Sequence, residues 1–242
     1  MPVLKRKKSK GERAKDIIGA ILLVSLVLSL IFVIISMVNA PGEAPKGAEH
    51  VKVKSDYTLN LLQCALAVVV MFIPSMLQKR LCIAIPNYMY VLYFIFLYCA
   101  VYLGEVRNFY FIFPNWDAML HTFSGAMLGA LGFSLVSILN DQQRIPMSLS
   151  PFFSALFALC FAVFCGVVWE IYEYTLDGIL KLNMQKFALE DGTALLGRLA
   201  LKDTMEDLIV DTLGALSICI AGYLGLKAKR KKAEDKPLDL GE

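Results

Sequence analysis

The sequence predicts an all-α, polytopic integral membrane protein with six transmembrane helices and both termini in the cytoplasm. First, 57% of the 242 residues are hydrophobic, only 19% are charged, and the mean hydropathy is +0.61. A soluble domain of this length has a more polar composition. Second, Lys and Arg concentrate in Lys5–Lys15 and Lys227–Lys232, beside apolar segments. Such placement is typical of membrane topology, so the lipid bilayer is the expected partner and nucleic acid is not.

Third, the chain contains six apolar runs of the length that a membrane requires. A hydrocarbon core about 30 Å thick is crossed by roughly 20 helical residues at about 1.5 Å each. The six predicted spans are approximately residues 17–38, 59–77, 84–103, 118–139, 151–172 and 205–226. Together they form a membrane domain over residues 17–226, between a basic cytoplasmic leader at 1–16 and a cytoplasmic tail at 227–242, with an extracytoplasmic loop at 173–204.

The first predicted span follows a basic leader, which is also the arrangement of a secretory signal peptide. Its apolar run is longer than a signal peptide requires. Val38-Asn39-Ala40 resembles a cleavage site, but Pro41 would follow the cut. We therefore expect the first span to be a membrane anchor.

The basic residues between the spans predict the orientation. With the N-terminus inside, Lys79, Arg80, Arg144 and the basic C-terminal run all fall in the cytoplasm. This distribution satisfies the positive-inside rule and predicts a multi-pass protein of the plasma or inner membrane.

The stretch from Asp177 to Lys202 mixes apolar and charged residues on the predicted outer side. Two interpretations fit it, an amphipathic helix lying in the membrane interface and an ordinary surface loop. Asp191-Gly192 indicates a turn in either case.

Acidic residues recur at the predicted outer ends of the last three spans, where charge is costly. Asp117 and His121 are four residues apart, so both side chains lie on one helix face. Glu170 and Glu173 share a face of the fifth span, and the sixth span carries a stripe of acids at four-residue spacing, Asp203, Asp207 and Asp211. Counting about 20 residues per crossing places these groups at one level, with Asp211 about one turn deeper.

Like charges at one level require compensation by a cation, shared protons or a basic partner. A divalent metal (Mg, Mn, Fe or Zn) suits a set of carboxylates with one histidine, and the absence of thiolates from the set disfavours a structural zinc site. The predicted metal ligands are Asp117, His121, Glu170, Glu173, Asp207 and Asp211, of which Glu173 and Asp211 are also the candidate catalytic groups. In the alternative interpretation these acids are structural, bonded to Arg107, Lys181 or Arg198, with Asp117 and Asp203 as simple helix caps.

Small residues accompany the acids. Gly125 and Gly129 continue the helix face below His121, and Gly214 follows Asp211 by three residues. This spacing favours close helix packing, with or without a metal.

Three motifs carry a family resemblance. They are Trp116-Asp117-x-x-x-His121, Trp169-Glu170-Ile171-Tyr172-Glu173-Tyr174 and Asp203-Thr204-x-x-Asp207-x-x-x-Asp211-x-x-Gly214-Ala215. In them the chain resembles the YjdF-like family of uncharacterised bacterial inner-membrane proteins, over roughly its C-terminal half. It is also distantly similar to VanZ-like proteins, a group linked to glycopeptide tolerance, although Glu173 and Asp211 stand where that group usually has amide residues. Neither resemblance implies an established reaction.

Three functions are compatible with the sequence. The first is a membrane-embedded, metal-dependent enzyme acting on a lipid or lipid-linked envelope substrate at the outer leaflet. The second is an ion- or proton-coupled transporter, which the apolar middle of every span disfavours. The third is a non-catalytic envelope-stress or structural membrane protein. The sequence carries no indication of oligomeric state.

Overall fold

The structure, a computed structural model, describes residues 8–42, 52–80, 85–141, 149–189 and 193–235. Over these residues the chain is helical and contains no strand, only one isolated bridge. The elements are α1 (Lys10–Asn39), α2 (Lys54–Val70), α3 (Ile73–Arg80), α4 (Asn87–Leu97), a π-helical segment (Tyr98–Val106), α5 (Phe109–Ile112), α6 (Trp116–Asp141), α7 (Pro151–Leu180) and α8 (Lys202–Glu234).

Six stretches within the described residues are long and apolar enough to cross a membrane. They are Lys10–Asn39, Lys54–Arg80, Asn87–Val106, Trp116–Ser137, Pro151–Leu180 and Lys202–Lys232. The predicted all-α membrane fold with six spans is therefore confirmed. Many large apolar side chains of these stretches are exposed, as in a protein whose surface faces lipid.

The chain forms two compact units, which are described separately. The first contains Met1–Trp116, Leu176–Asn183 and Ala188–Ala194, and the second contains Asp117–Thr175, Met184–Phe187 and Leu195–Glu242.

The first unit is built around α1. The helix begins with a capping box, in which the Ser9 hydroxyl accepts a hydrogen bond from the Glu12 backbone N–H and the Glu12 carboxylate accepts one from the Ser9 N–H. Its buried face carries Leu22, Leu26 and Val33 at helical spacing. This face packs against α2 and α4 in the apolar core of the unit.

The second span of the first unit is interrupted between α2 and α3. Pro74 has no N–H, so the Val70 carbonyl four residues earlier loses its helical partner. The Tyr93 hydroxyl donates to that carbonyl at 2.8 Å. A side chain of α4 thus satisfies the backbone group that proline leaves open, as membrane helices require.

The third span changes from α-helix to π-helix at Tyr98. Near the end of the π-helical segment, the Lys52 ammonium donates to the Glu105 carbonyl at 2.8 Å. Asn60 is buried, and with its amide oriented to satisfy both groups it accepts from Lys52 at 2.8 Å and donates to the Glu105 carboxylate at 3.2 Å. We call Lys52, Asn60 and Glu105 the Lys52 cluster.

The second unit brings α6, α7 and α8 together through small residues. A Cβ atom added to Gly125 of α6 would collide with the Asp211 carbonyl of α8, and one added to Gly214 would collide with the Thr122 carbonyl. These glycines therefore let the two backbones touch, consistent with the predicted small-residue packing. Gly132 of α6 approaches Ala158 of α7 in the same way.

Several bounds differ from the sequence prediction. The predicted fifth span ended at residue 172 and the extracytoplasmic loop began at 173, but α7 continues to Leu180. The acidic residues after position 172 are therefore part of α7. The helix ends where Lys181 takes a left-handed conformation, with φ of 57°. Lys79 and Arg80, expected in a turn, form the last turn of α3.

The interfacial helix considered for Asp177–Lys202 is absent from the described part of that stretch. Between Leu180 and Lys202 the described residues form turns and an antiparallel bridge from Ala188 to Ala194. These described residues fit the loop interpretation, whereas Asp177–Leu180 belong to α7. Arg144, Asp191 and Gly192, used in the sequence interpretation, lie outside the described residues.

Candidate metal centre

The candidate site lies at the start of α6 and α8 and in the second half of α7. Asp117 is in the first turn of α6, and His121 follows one turn later. On α8, Asp203 is in the first turn, and Asp207 and Asp211 follow at successive turns. His121, Asp207 and Asp211 are all buried, so α6 and α8 hold a charged face away from lipid.

His121 lies among three carboxylates of this face. Its Nδ1 is 3.2 Å from Oδ2 of Asp211. Its Nε2 is 3.7 Å from Oδ1 of Asp117 and 3.9 Å from Oδ2 of Asp207. Nδ1 therefore has one carboxylate within hydrogen-bond distance, and Nε2 has two carboxylates just beyond that distance.

The hydrogen bond to Asp211 determines the tautomer of the neutral imidazole. When the imidazole is neutral and the Asp211 carboxylate is ionised, the carboxylate can only accept, so Nδ1–H donates a hydrogen bond to Asp211. The lone pair of Nε2 then faces Asp117 and Asp207. A carboxylate that fixes one nitrogen while the other is turned to a metal is the usual support of a histidine ligand.

Asp211 is itself held from two sides. The Ser124 hydroxyl, which also contacts the His121 carbonyl, donates to Oδ1 of Asp211 at 2.9 Å. Gly166 of α7 faces the other oxygen so closely that a Cβ atom there would lie 2.9 Å from Oδ2. The position of Asp211, and with it the His121 ring, depends on residues from all three helices.

The atoms facing Nε2 fit a small divalent cation. One ligand atom each from Asp117, His121 and Asp207 lie within 4.8 Å of one another. Two ligands at about 2.1 Å from a shared ion are at most about 4.2 Å apart. The two Nε2 distances fall inside that limit, and no pair of ligand atoms in the set is more than 4.8 Å apart.

Lys186, which the sequence did not single out, is the basic partner of this face. Its ammonium bonds to Oδ2 of Asp117 and, at 2.6 Å, to Oδ1 of Asp203. Burial acts to lower the pKa of Lys186, but the charges of Asp117 and Asp203 outweigh burial and raise that pKa above its usual range. Asp117 and Asp203 are thus more than helix caps, because both share one ammonium.

Gln185 connects the same loop to α7 and α8. Its side-chain N–H groups face the Thr204 hydroxyl at 2.9 Å and Oε2 of Glu170 at 3.3 Å. The other oxygen of Glu170, Oε1, is buried and has no hydrogen-bond partner within the described residues. An ionised oxygen without a partner inside a protein is costly, so Glu170 points to a missing proton or cation.

Glu173 is buried one turn from Glu170. Its Oε1 accepts a hydrogen bond from the Trp169 indole N–H at 2.9 Å. Trp169 therefore bonds to one of the acids on its own helix.

The structure gathers three of the six predicted ligands, Asp117, His121 and Asp207, in one ligand set. Asp211, predicted as a ligand and as a catalytic group, contacts the far side of the histidine ring instead. Glu170 and Glu173 lie on α7 and are not members of that three-residue set. Sequence reasoning missed Lys186 because it is 69 residues from Asp117 and no spacing rule connects them.

Comparison with known families agrees with the membrane fold. Residues 18–228 match the family model described as "Predicted membrane protein (DUF2238)". The chain belongs to this family. The membership confirms the sequence-based assignment to a family of uncharacterised membrane proteins.

One relative of this DUF2238 protein is a Thermotoga maritima protein described as uncharacterized. It is 34% identical over 122 residues, which cover 50% of this chain and 54% of the relative. The chain thus aligns with about half the length of the curated relative that it matches. No solved structure matches the chain.

Proposed function

We propose that this protein is a membrane-embedded, metal-dependent enzyme. In this proposal Asp117, His121 and Asp207 bind one divalent ion at the extracytoplasmic face of the cell membrane. The substrate is a lipid or lipid-linked envelope molecule, because the candidate site lies at the ends of membrane-spanning helices.

The observation that carries the proposal is the set of three carboxylates around the His121 ring. Asp211 accepts from Nδ1, and this leaves the Nε2 lone pair facing the oxygens of Asp117 and Asp207 at 3.7 and 3.9 Å. Three electron-rich atoms pointed at one another repel unless Nε2 takes up a proton or a metal ion lies among them. A divalent ion removes that repulsion and uses all three atoms as ligands.

The charge of the surroundings supports the same conclusion. Six carboxyl groups surround the site, and the hydrogen bonds place one ammonium, that of Lys186, among them. The six are Asp117, Glu170, Glu173, Asp203, Asp207 and Asp211. A charge imbalance of this size in a poorly hydrated region requires protons or a metal ion.

The residues have distinct tasks in this proposal. A bound divalent ion supplies Lewis acidity and lowers the pKa of a water molecule. Asp211 and Ser124 orient the histidine and are positioning residues. Glu170 is the candidate general base, because one of its carboxylate oxygens has no partner within the described residues, and Glu173 is a second proton carrier one turn away.

Elemental mass spectrometry on the detergent-purified protein tests the proposal. We expect about one equivalent of a divalent metal in the wild type and loss of that metal in His121→Ala and in Asp207→Ala. Glu206→Ala is the matched control, since Glu206 precedes Asp207 on α8 but is exposed beside Lys202. A wild-type protein that neither carries nor binds a divalent ion would contradict the proposal, as would equal loss in the Glu206 control.

A cation- or proton-coupled transporter is the second candidate function. The carboxylates of α8 favour it, because Asp203, Asp207 and Asp211 descend along one helix face. The buried residues that follow on α8 are Gly214, Ala215 and Cys219, which offer no charge for continued passage. Ion flux into proteoliposomes that is abolished by Asp211→Asn would favour the transporter over the enzyme.

A further inference from the structure

Lys186 occupies a position that resembles that of a bound cation. Its ammonium bonds to one oxygen from α6 and one from α8, Oδ2 of Asp117 and Oδ1 of Asp203. Oδ1 of Asp117 faces Nε2 of His121 instead. The Asp117 carboxylate therefore lies between two cation positions, one beside His121 and Asp207 and one filled by the lysine.

The loop holds the ammonium in place through several bonds. Gln185 bonds to Thr204, and the Phe187 carbonyl accepts from the Leu195 N–H at 2.9 Å. Lys186 itself has φ of 46°, in the left-handed region that costs a non-glycine residue free energy. A surface lysine with free choice of conformation avoids this region, so the observed bonds hold Lys186 there.

The acids around the ammonium have capacity for a more highly charged ion. Oδ2 of Asp203 is buried without a hydrogen-bond partner in the described part of the chain, and the same is true of Oε1 of Glu170, whose residue is 5% exposed. Gln185 bonds to Glu170 and to Thr204, the residue after Asp203. One ammonium supplies a single charge and at most three donors, and its bond to Oδ1 of Asp203 leaves Oδ2 of the same carboxylate unsatisfied.

We infer that Lys186 fills the second cation position of a two-cation site and so restricts the protein to one divalent ion. This inference rests on the proposed metal site at Asp117, His121 and Asp207. Removal of the ammonium opens a position for a second divalent ion between Asp117, which then bridges the two ions, and Asp203. Paired metals sharing a bridging carboxylate are a common arrangement in hydrolytic enzymes, and Lys186 makes this site mononuclear.

The test is metal stoichiometry after equilibrium dialysis of the full-length protein in detergent against Mn²⁺. We expect one ion per chain in the wild type and two in Lys186→Gln. Lys186→Arg retains the positive charge and is expected to bind one ion. Lys202→Gln is the matched control, because Lys202 is exposed beside Glu206 at the start of α8. The Lys202→Gln variant is also expected to bind one ion per chain.

Two further variants locate the second ion. In the Lys186→Gln background, Asp203→Asn is expected to return the stoichiometry from two to one. In the wild-type background, Asp203→Asn is expected to keep the single ion, because Asp203 belongs only to the position of the lysine. This variant also tests the inference if Lys186→Gln does not yield folded protein, since loss of the ion from Asp203→Asn would overturn the separation of the two positions.

The outcomes separate this inference from the proposed function. If the wild type binds no ion, the proposed function fails. If the wild type binds one ion and folded Lys186→Gln also binds one or none, the inference is overturned while the proposed function stands. A wild type that binds two ions likewise overturns the inference.

Discussion

Two lysines, one in each compact unit, have opposite electrostatic surroundings. Lys52 bonds to the Glu105 carbonyl and the Asn60 amide, both neutral groups, and burial lowers its pKa despite the nearby charges of Glu105 and Asp56. Lys186 bonds to two carboxylates, whose charges outweigh burial and raise its pKa. The first lysine satisfies the end of a π-helix, and the second neutralises part of an acidic face.

The two lysine sites differ in whether the nearby oxygens all have hydrogen-bond partners. In the Lys52 cluster, the reoriented Asn60 amide donates to Oε2 of Glu105 and accepts from Lys52, and the Glu105 carbonyl also accepts from Lys52. Beside Lys186, one oxygen of Asp203 is buried without a partner in the described residues, as is one oxygen of Glu170, whose other oxygen faces Gln185. A complete hydrogen-bond network is sufficient for structure, whereas an incomplete network of acids indicates a missing ligand.

The largest expected effect that separates the two regions comes from Asp211→Asn. This change keeps the size of the side chain but removes the charge that fixes the His121 tautomer. We expect Mn²⁺ affinity, measured by titration in detergent, to fall about 10- to 100-fold, the usual effect of losing an outer partner of a ligand. Unchanged affinity would show that Asp211 does not orient a metal ligand.

The matched substitution in the first unit is Asn60→Leu, which removes a buried amide of similar size. It is expected to leave Mn²⁺ affinity unchanged. It should lower thermal stability in detergent, because unpaired buried polar groups cost about 1–3 kcal/mol each. If Asn60→Leu weakened metal binding as much as Asp211→Asn, the two clusters would not be functionally distinct.

A smaller effect is expected from Gly166→Ala on α7. The new Cβ would lie 2.9 Å from Oδ2 of Asp211, so the carboxylate must shift away from its position on His121. We expect this forced shift of the Asp211 side chain to cost roughly 0.7–1.4 kcal/mol of binding free energy. Mn²⁺ affinity should therefore fall about 3- to 10-fold in the same titration.

Gly178→Ala is the control on the same helix, since a Cβ atom there meets nothing within 4 Å. It is expected to leave affinity unchanged and to stabilise α7 slightly, by up to roughly 1 kcal/mol. Equal effects of the two substitutions on affinity would mean that Gly166 acts only through general helix packing.

Much of the fold could be predicted from the sequence because it depends on local patterns. Apolar runs of about 20 residues identify spans, since each span satisfies its own backbone hydrogen bonds. The i, i+4 spacing of Asp117 and His121 and the stripe through Asp207 and Asp211 correctly placed acids on shared helix faces. The close contact between α6 and α8 could be predicted from the small residues Gly125 and Gly214, which lie at that contact.

The remaining features depend on contacts between distant residues. Neither Lys186, which binds Asp117 from a loop, nor the Tyr93 bond that compensates for Pro74 has a signature at short range. The extension of α7 past residue 172 was missed because the acidic residues near that position indicated the end of the membrane span. The helix continues past these acids to Leu180. The separate role of Asp211 was not predictable, because spacing alone does not reveal which side of the histidine ring it contacts.

The most direct test of the central claim, that His121 binds a metal through Nε2, is pulsed electron paramagnetic resonance of Mn²⁺ bound to the purified protein. We expect a nitrogen coupling from one imidazole in the wild type and its disappearance in His121→Gln. The chain has two histidines, so His50→Gln is the control and should retain the coupling. Bound Mn²⁺ without nitrogen coupling, or a coupling that survives His121→Gln, would contradict the account.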